Sequence, residues 1–177
     1  LDWMNGQHIR RFGPDEFFDK VIKWLEKDAK SMKTFDPEFD ETRVDLFLSK
    51  KEILKQALPL IQERITKFSD IFEYLDFFFN SPTPENVDIS KSKHTKEEFD
   101  ALVPNVYNAI NNLSEPWSHE EWETVMRKIA DESNWKHGDA FMCLRLMIVG
   151  SPCSPPLFES LTIKKKDEVL SRIKNWQ

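Results

Sequence analysis

The chain has 177 residues, of which 40% are hydrophobic and 32% are charged, and its formal net charge is −6. This hydrophobic content is enough for a packed core, while the acidic balance argues against nonspecific binding of nucleic acid, which needs clustered lysine and arginine. No apolar run is long enough to span a membrane, and no signal peptide opens the chain. The two cysteines are too few for a disulfide framework and are predicted to be reduced thiols of a cytoplasmic protein.

The composition favours an all-α fold, because the chain has only four glycines and lacks long runs of alternating polar and apolar residues. It begins with leucine rather than methionine, and we expect a piece of a longer protein. Residues 1–12 have no sustained period and are predicted to be a connector. Pro14 begins the first clear helix, in which apolar side chains repeat at helical spacing. They are Phe17, Phe18, Val21, Ile22 and Leu25.

Three helical segments are predicted to complete the first half of the chain. A short helix runs through Phe47. Ser49 with Glu52 then predicts a capping box for a longer helix, which Pro59 should kink. An amphipathic helix is predicted to follow over residues 68–79, because its aromatic and aliphatic residues again lie on one face.

The polar segment over residues 82–92 is predicted to be a linker, since it has no apolar face. It would separate two helical bundles over residues 13–81 and 93–177. The helices of the second bundle carry clear start signals in the form of capping boxes. These boxes are Thr95 with Glu98 and Ser118 with Glu121.

The most apolar run, residues 140–149, contains a single charge, Arg145. Long charged side chains are almost never fully buried without a partner, so this arginine needs an explanation. Gly150 is predicted to end the helix, and a proline-rich elbow follows. Ser154 and Pro155 are then predicted to be the N-cap and first residue of a second helix, reaching Leu161. Because helix N-termini attract anions and hydrogen-bond acceptors, this elbow is where a ligand is expected.

No pattern in the sequence predicts catalysis. The four histidines are scattered, and neither they nor the cysteines have metal-ligand spacing. Glycine-rich phosphate loops and known nucleophile motifs are absent. The many carboxylates lie at helix starts and on polar faces, where capping or solvation is the ordinary role. The chain itself is therefore predicted to be non-catalytic, with no metal or cofactor of its own.

The residues alone leave the roles of the conspicuous cations open. Arg145 fits either a structural pairing with an acid or helix carbonyls, or a ligand contact. Arg64 lies at a turn between helices, where a solvated surface arginine is ordinary. The run from Lys164 to Lys166 fits a solvated segment or a patch that faces phosphate.

Three stretches, in order along the whole chain, closely resemble bacterial glutamyl-tRNA synthetases, a family of class I aminoacyl-tRNA synthetases. They are LDWMNGQHIR, LIQERITKFSDIFEY, and LRLMIVGSPCSPPLFESL followed by KKKDEVLSRI. The resemblance implies the C-terminal anticodon-binding portion, an α-helical cage of two consecutive bundles that holds the tRNA anticodon. It also implies that a catalytic domain upstream in the parent enzyme joins glutamate to tRNA using ATP and Mg²⁺. The HIGH-type and KMSKS-type motifs of that domain do not occur here.

The same resemblance implies which residues contact the anticodon bases. In this sequence they are Arg64, Arg145, Ser154, Pro155 and Leu157. Arg145 would bond the edge of a splayed base, the elbow would supply small polar groups, and Leu157 would form an apolar platform. Arg64 would reach the third anticodon base. The implied partners are glutamate tRNA, with glutamine tRNA a further substrate in some family members, and the upstream catalytic domain of the same chain.

One departure from the family concerns Pro156, where the family pattern has glycine. Two consecutive N–H groups are therefore missing from the elbow, and a family contact through the backbone at residue 156 is in doubt. An alternative function is a helical protein–protein interaction module without nucleic-acid binding, which the acidic balance and the aromatic helix faces also fit. A monomer is expected, because each predicted helix has a single apolar face that bundling satisfies.

Overall fold

The computed structural model describes residues 2–152 and 154–177. Throughout those two ranges the regular elements are helices, with no strand, which confirms the predicted all-α class. Cys153, one of the two predicted free thiols, lies outside the described residues, whereas Cys143 is a buried free thiol. The chain divides into two compact units, Leu1–Phe79 and Asn80–Gln177, here called the first and second units.

The first unit consists of five short α-helices and two 3-10 segments. The aliphatic and aromatic faces predicted from the sequence form its interior, with Phe17 and Val21 fully buried. Phe72 lies at the centre of an aromatic cluster, with its ring centroid 5.0 Å from that of Phe47 and 5.3 Å from that of Phe39. The helices are α1 Asp2–Arg10, α2 Pro14–Lys27, α3 Thr42–Ser49, α4 Lys51–Ile61 and α5 Asp70–Leu75; the 3-10 segments are Ala29–Thr34 and Asp76–Phe78.

Most of the opening segment, which the sequence predicts to be a connector over residues 1–12, is helix α1. Tertiary contacts within the first unit hold it in place. Ile9 is 5% exposed, and the Gln62 side-chain amide donates to the carbonyls of Ile9 and Phe12 at 2.8 and 2.9 Å. These contacts come from residues some fifty positions away, so local periodicity could not reveal them.

The predicted Ser49–Glu52 capping box is wrong. Ser49 is the last residue of α3, and its hydroxyl donates to the Leu46 carbonyl at 2.7 Å. An N-cap residue needs a non-helical backbone, which a residue still inside the preceding helix lacks. Lys50 alone separates α3 from α4 and makes no side-chain cap hydrogen bond.

The described residues of the second unit form five α-helices preceded by two 3-10 segments. The capping boxes predicted at Thr95 and Ser118 are both present, with reciprocal side-chain to backbone hydrogen bonds to Glu98 and Glu121. The α-helices are α6 Lys96–Asn111, α7 His119–Glu132, α8 His137–Val149, α9 Leu157–Ile163 and α10 Lys166–Lys174; the 3-10 segments are Pro84–Asn86 and Ile89–Ser92.

Residues 82–92, expected to be a linker, lie within the second unit. Val87 and Ile89 pack against its hydrophobic core, and Ser92 is fully buried. Its two isolated aliphatic residues are too few to give the sequence a visible apolar face, although they are enough to dock the segment.

Helix α8 occupies the centre of the second unit, as the apolar run over residues 140–149 predicts. Leu144, Met147 and Ile148 are fully buried. Helix α8 ends at Gly150, as predicted, where φ is +78° and the N–H donates to the Leu146 carbonyl at 3.0 Å. A side chain is excluded there for two reasons, the left-handed backbone and the space around it.

We expect Gly150→Ala to lower the free energy of unfolding by about 3 kcal/mol, the sum of left-handed strain and overpacking. The added Cβ would lie 2.7 Å from Cβ of Pro82 and 3.3 Å from Cγ2 of Val87. Denaturant unfolding followed by circular dichroism measures the change. Gly138→Ala, in the first turn of the same helix and with no atom within 4 Å of the new Cβ, is the control. Equal stability of the two variants would contradict this account.

Candidate nucleic-acid interface

The elbow after α8 is folded around the Arg145 side chain. Arg145 projects from α8, is half-buried, and donates through Nη1 to the Ser154 hydroxyl. The same nitrogen lies 3.4 Å from the Pro155 carbonyl oxygen. The Ser154 hydroxyl in turn donates to that carbonyl at 2.7 Å. The structure therefore brings together three of the five predicted site residues in one hydrogen-bonded group.

Ser154 is not the helix N-cap that the sequence predicts. Helix α9 begins two residues later than expected, at Leu157, with Pro156 in the cap position and no side-chain cap hydrogen bond. The Ser154 side chain, which is 3% exposed, is engaged by Arg145 instead. A buried hydroxyl takes the strongest partners within reach, and a guanidinium is a stronger donor than a backbone amide.

Leu157 lies at the start of α9 and belongs to the hydrophobic core of the second unit. It is 5% exposed, so little of its side chain is open to a ligand. The Pro156 carbonyl accepts hydrogen bonds from the N–H and the hydroxyl of Ser160, at 3.0 and 2.7 Å. The Pro156 carbonyl thus accepts the first hydrogen bond of the helix, a role that does not need the N–H that proline lacks.

The last turn of α8 is held by one side chain of α10 and one from the C-terminal segment that follows it. A helix leaves its final carbonyls without intrahelical donors. Here the Ile148 carbonyl accepts from Nη1 of Arg172 at 2.6 Å, and the Met147 carbonyl accepts from the Trp176 indole at 3.2 Å. Arg172 is 2% exposed and also donates to Glu168 at 3.0 Å. These bonds fix the end of α8 and so the point at which the elbow leaves it.

Arg64 lies in the first unit, in the turn that follows α4. Its side chain is exposed, whereas the residues before and after it, Glu63 and Ile65, are fixed by contacts within the first unit. Ile65 is fully buried, and the Glu63 carbonyl accepts from Nε and Nη2 of Arg10 at 3.2 and 3.1 Å. Helix α1 therefore braces the turn that presents Arg64.

The chain matches the family described as the anticodon binding domain over residues 16–177. The chain belongs to the anticodon-binding domain family. It is also 29% identical over 171 residues to a glutamate–tRNA ligase of Roseiflexus sp. (strain RS-1), covering 96% of this chain and 31% of that protein. With a glutamate–tRNA ligase of Gloeobacter violaceus it shares 30% identity over 190 residues, covering 98% of this chain and 35% of the relative.

Solved structures support the fold of this anticodon-binding domain. A glutamate tRNA ligase from Elizabethkingia meningosepticum, crystallised in complex with its amino acid, superposes with a TM-score of 0.66 at 22% identity. The match covers 99% of this chain and 31% of that one. This chain thus spans about a third of the length of the ligases it resembles.

The described part of the anticodon-binding domain contains no helix long and apolar enough to cross a membrane. Among the same residues, no group of three or more histidine, cysteine or carboxylate side chains could hold a metal ion.

In the lysine run at the start of α10, two of the three side chains are engaged within the protein, so the run is not a fully solvated segment. Lys164 is 4% exposed and forms an ion pair with Glu168. Lys166 donates through Nζ to the Asn111 and Leu113 carbonyls and so caps the end of α6. Only Lys165 is exposed. Burial, together with the charge of Arg172 nearby, lowers the pKa of Lys164 to about 8 despite its carboxylate partner.

This lowered pKa predicts how stability depends on pH. Between about 8 and the ordinary value of 10.5 the unfolded chain binds more protons at Lys164 than the folded chain, so stability rises with pH in this window. The neutral Lys164→Met side chain cannot contribute this gain. Between about pH 7 and pH 10, we expect the free energy of unfolding of the native chain to rise by up to about 3 kcal/mol relative to that of Lys164→Met.

Denaturant titrations at several pH values measure this difference. Lys165→Met, which removes an exposed lysine one position away, is the matched control. If the free energies of unfolding of the native chain and of Lys164→Met differed by the same amount at every pH in this window, Lys164 would keep its ordinary pKa in the folded chain.

Proposed function

We propose that this domain binds the anticodon loop of glutamate tRNA, and that Arg145 makes the central base contact. The observation that carries the proposal is the hydrogen-bonded group formed by Arg145, Ser154 and Pro155. Three residues that the family resemblance assigns to anticodon contact are joined in this group. Their arrangement orients a planar guanidinium at the surface of the second unit.

The chemistry of this group suits an unpaired base. Single-stranded loops are read through the Watson–Crick edges of splayed bases, and the guanidinium fork presents donors in one plane to such an edge. Ser154 and the Pro155 carbonyl restrict Arg145 to one orientation, so less side-chain entropy is lost on binding. Because Ser154 and Leu157 are nearly buried, we assign them to shaping the site beneath the base.

We further propose that the whole protein is a glutamate–tRNA ligase, the activity carried in the names of the relatives. In such an enzyme, ATP and Mg²⁺ would bind in a catalytic domain outside these residues, and this domain would be its non-catalytic anticodon reader. Glutamate tRNA is the proposed cognate substrate, and the protein would act as a monomer in the cytoplasm.

The first test is a salt titration of the chain with a glutamate-tRNA anticodon stem-loop, beside stem-loops that carry single base changes. Binding that depends on the loop sequence supports the proposal, and its salt slope counts the phosphates neutralised. We expect a shallow slope, because Lys164 and Lys166 are engaged within the protein. Failure to bind either stem-loop at low salt would favour the protein-interaction module instead.

Arg145→Ala should weaken binding of the cognate stem-loop by about 2 kcal/mol, the usual worth of a good arginine–base contact. Arg145→Lys keeps the charge but loses the planar fork, so we expect it to recover little of the affinity. Lys128→Ala removes an exposed positive charge elsewhere in the second unit and is the matched control. Fluorescence titration measures all three. If Lys128→Ala weakened binding as much as Arg145→Ala, the contact would be general charge attraction rather than base recognition.

Arg64 is proposed to contact the third anticodon base. Arg64→Ala should therefore reduce the affinity difference between the cognate stem-loop and one with a changed third base. Glu63→Gln, which removes the exposed ion pair of Glu63 with Arg10 but keeps the hydrogen bonds from Arg10 to its carbonyl, should leave the difference intact. Discrimination that survived Arg64→Ala in full would remove Arg64 from the reading of the third base.

A further inference from the structure

The second unit carries an aromatic cluster at its surface that the predicted site residues do not include. Phe158, the residue after Leu157, stacks on His119, with ring centroids 4.7 Å apart and an interplanar angle of 30°. The Phe141 ring meets Phe158 edge-on at 90°, with centroids 5.6 Å apart. Both phenylalanines are half-buried, while the His119 side chain is 51% exposed.

The cluster adjoins the elbow through the chain itself. Phe141 precedes Arg145 by four residues on α8, so the two side chains share one face of that helix. Phe158 is the second residue of α9, directly after the elbow. A loop whose base contacts Arg145 would therefore bring its neighbouring bases to these rings.

We propose that His119 and Phe158, supported by Phe141, form a stacking platform for a second unpaired base of the bound loop. This inference rests on the proposed function, because the occupant it names is the same RNA. Aromatic faces stack on any nucleobase, and each such contact contributes measurably to single-strand affinity. The platform would add affinity, while Arg145 would supply the base-edge contact.

The charges around the platform favour a base over a phosphate. Nδ1 of His119 lies 3.3 Å from Oε1 of Glu159, and its Nε2 lies 3.7 Å from Oε2 of Glu123. Glu123 also accepts from Nε of Arg127 at 3.1 Å, and the Arg127 guanidinium lies 5.8 Å from the centre of the Phe141 ring. Carboxylates at the ring edge repel phosphate and hold the imidazole plane, while the ring faces stay apolar.

The test replaces the aromatic ring without emptying its site. Phe158→Leu keeps apolar volume but removes the flat face, and should weaken binding of the glutamate-tRNA anticodon stem-loop by about tenfold. Phe158→Tyr retains the face and should bind like the native chain. Phe35→Leu is the matched control, because Phe35 is an 87% exposed phenylalanine in the first unit. Circular dichroism melting curves check that each variant is folded.

A second readout reports stacking itself. The stem-loop carries 2-aminopurine at one loop position at a time, whose fluorescence falls when the base stacks. The native chain should quench one position, and Phe158→Leu should restore its fluorescence. If Phe158→Leu proves unfolded, His119→Ala and His119→Phe make the same comparison at a half-exposed residue, with loss expected for the first and retention for the second.

The outcomes separate this inference from the proposed function. Native affinity and quenching in folded Phe158→Leu, together with weakened binding by Arg145→Ala, would overturn the platform and leave anticodon binding in place. The same result would be expected if a protein partner, rather than RNA, occupied these rings. Absence of any stem-loop binding by the native chain would overturn both proposals.

Discussion

The termination of α8 is the constraint on which the second unit depends. This helix has six buried side chains, and the hydrogen bonds that the Met147 and Ile148 carbonyls accept are buried. The Leu146 carbonyl accepts a hydrogen bond from the Gly150 N–H. The Met147 carbonyl accepts one from the Trp176 indole, and the Ile148 carbonyl one from the Arg172 guanidinium. An unsatisfied buried carbonyl would cost about 1–3 kcal/mol, so the bonds from Arg172 and Trp176 are part of the fold's stability. They also fix where the elbow begins, and with it the partner atoms of Arg145.

The elements of this fold follow from the sequence wherever the signal is local. Apolar periodicity predicts α2, the apolar run over residues 140–149 predicts α8, and the capping boxes at Thr95 and Ser118 are found as predicted. The sequence predictions fail where structure outside the local pattern decides the outcome. A capping motif is valid only if its first residue is extended, and Ser49 is still helical because α3 reaches it. Helix α1 depends on Gln62, which no local pattern links to residues 2–10.

The sequence predicts only part of the candidate site, because a local signal can mark a residue but not its partners in the fold. A lone arginine in the most apolar run signals a special role, but its partners cannot be read from spacing. The Ser154 hydroxyl and the Pro155 carbonyl, both in the elbow, lie next to Arg145. The burial of Lys164 is likewise invisible in a lysine run, because helix packing and not composition decides it. The stack of His119 on Phe158 joins residues of α7 and α9, a pairing that only the fold brings about.

The acidic composition is compatible with RNA binding once the charges are located. Glu98 and Glu121 cap helices, and Glu168 pairs with buried cations, so these carboxylates are committed to the fold. Two cations are committed as well, since Lys166 caps α6 and Lys164 pairs with Glu168. The groups of the second unit proposed to meet the bases are therefore one arginine and a pair of rings. Recognition in such a site has to rest on planar groups, an oriented guanidinium and stacked rings, which discriminate bases by shape and edge rather than by phosphate attraction.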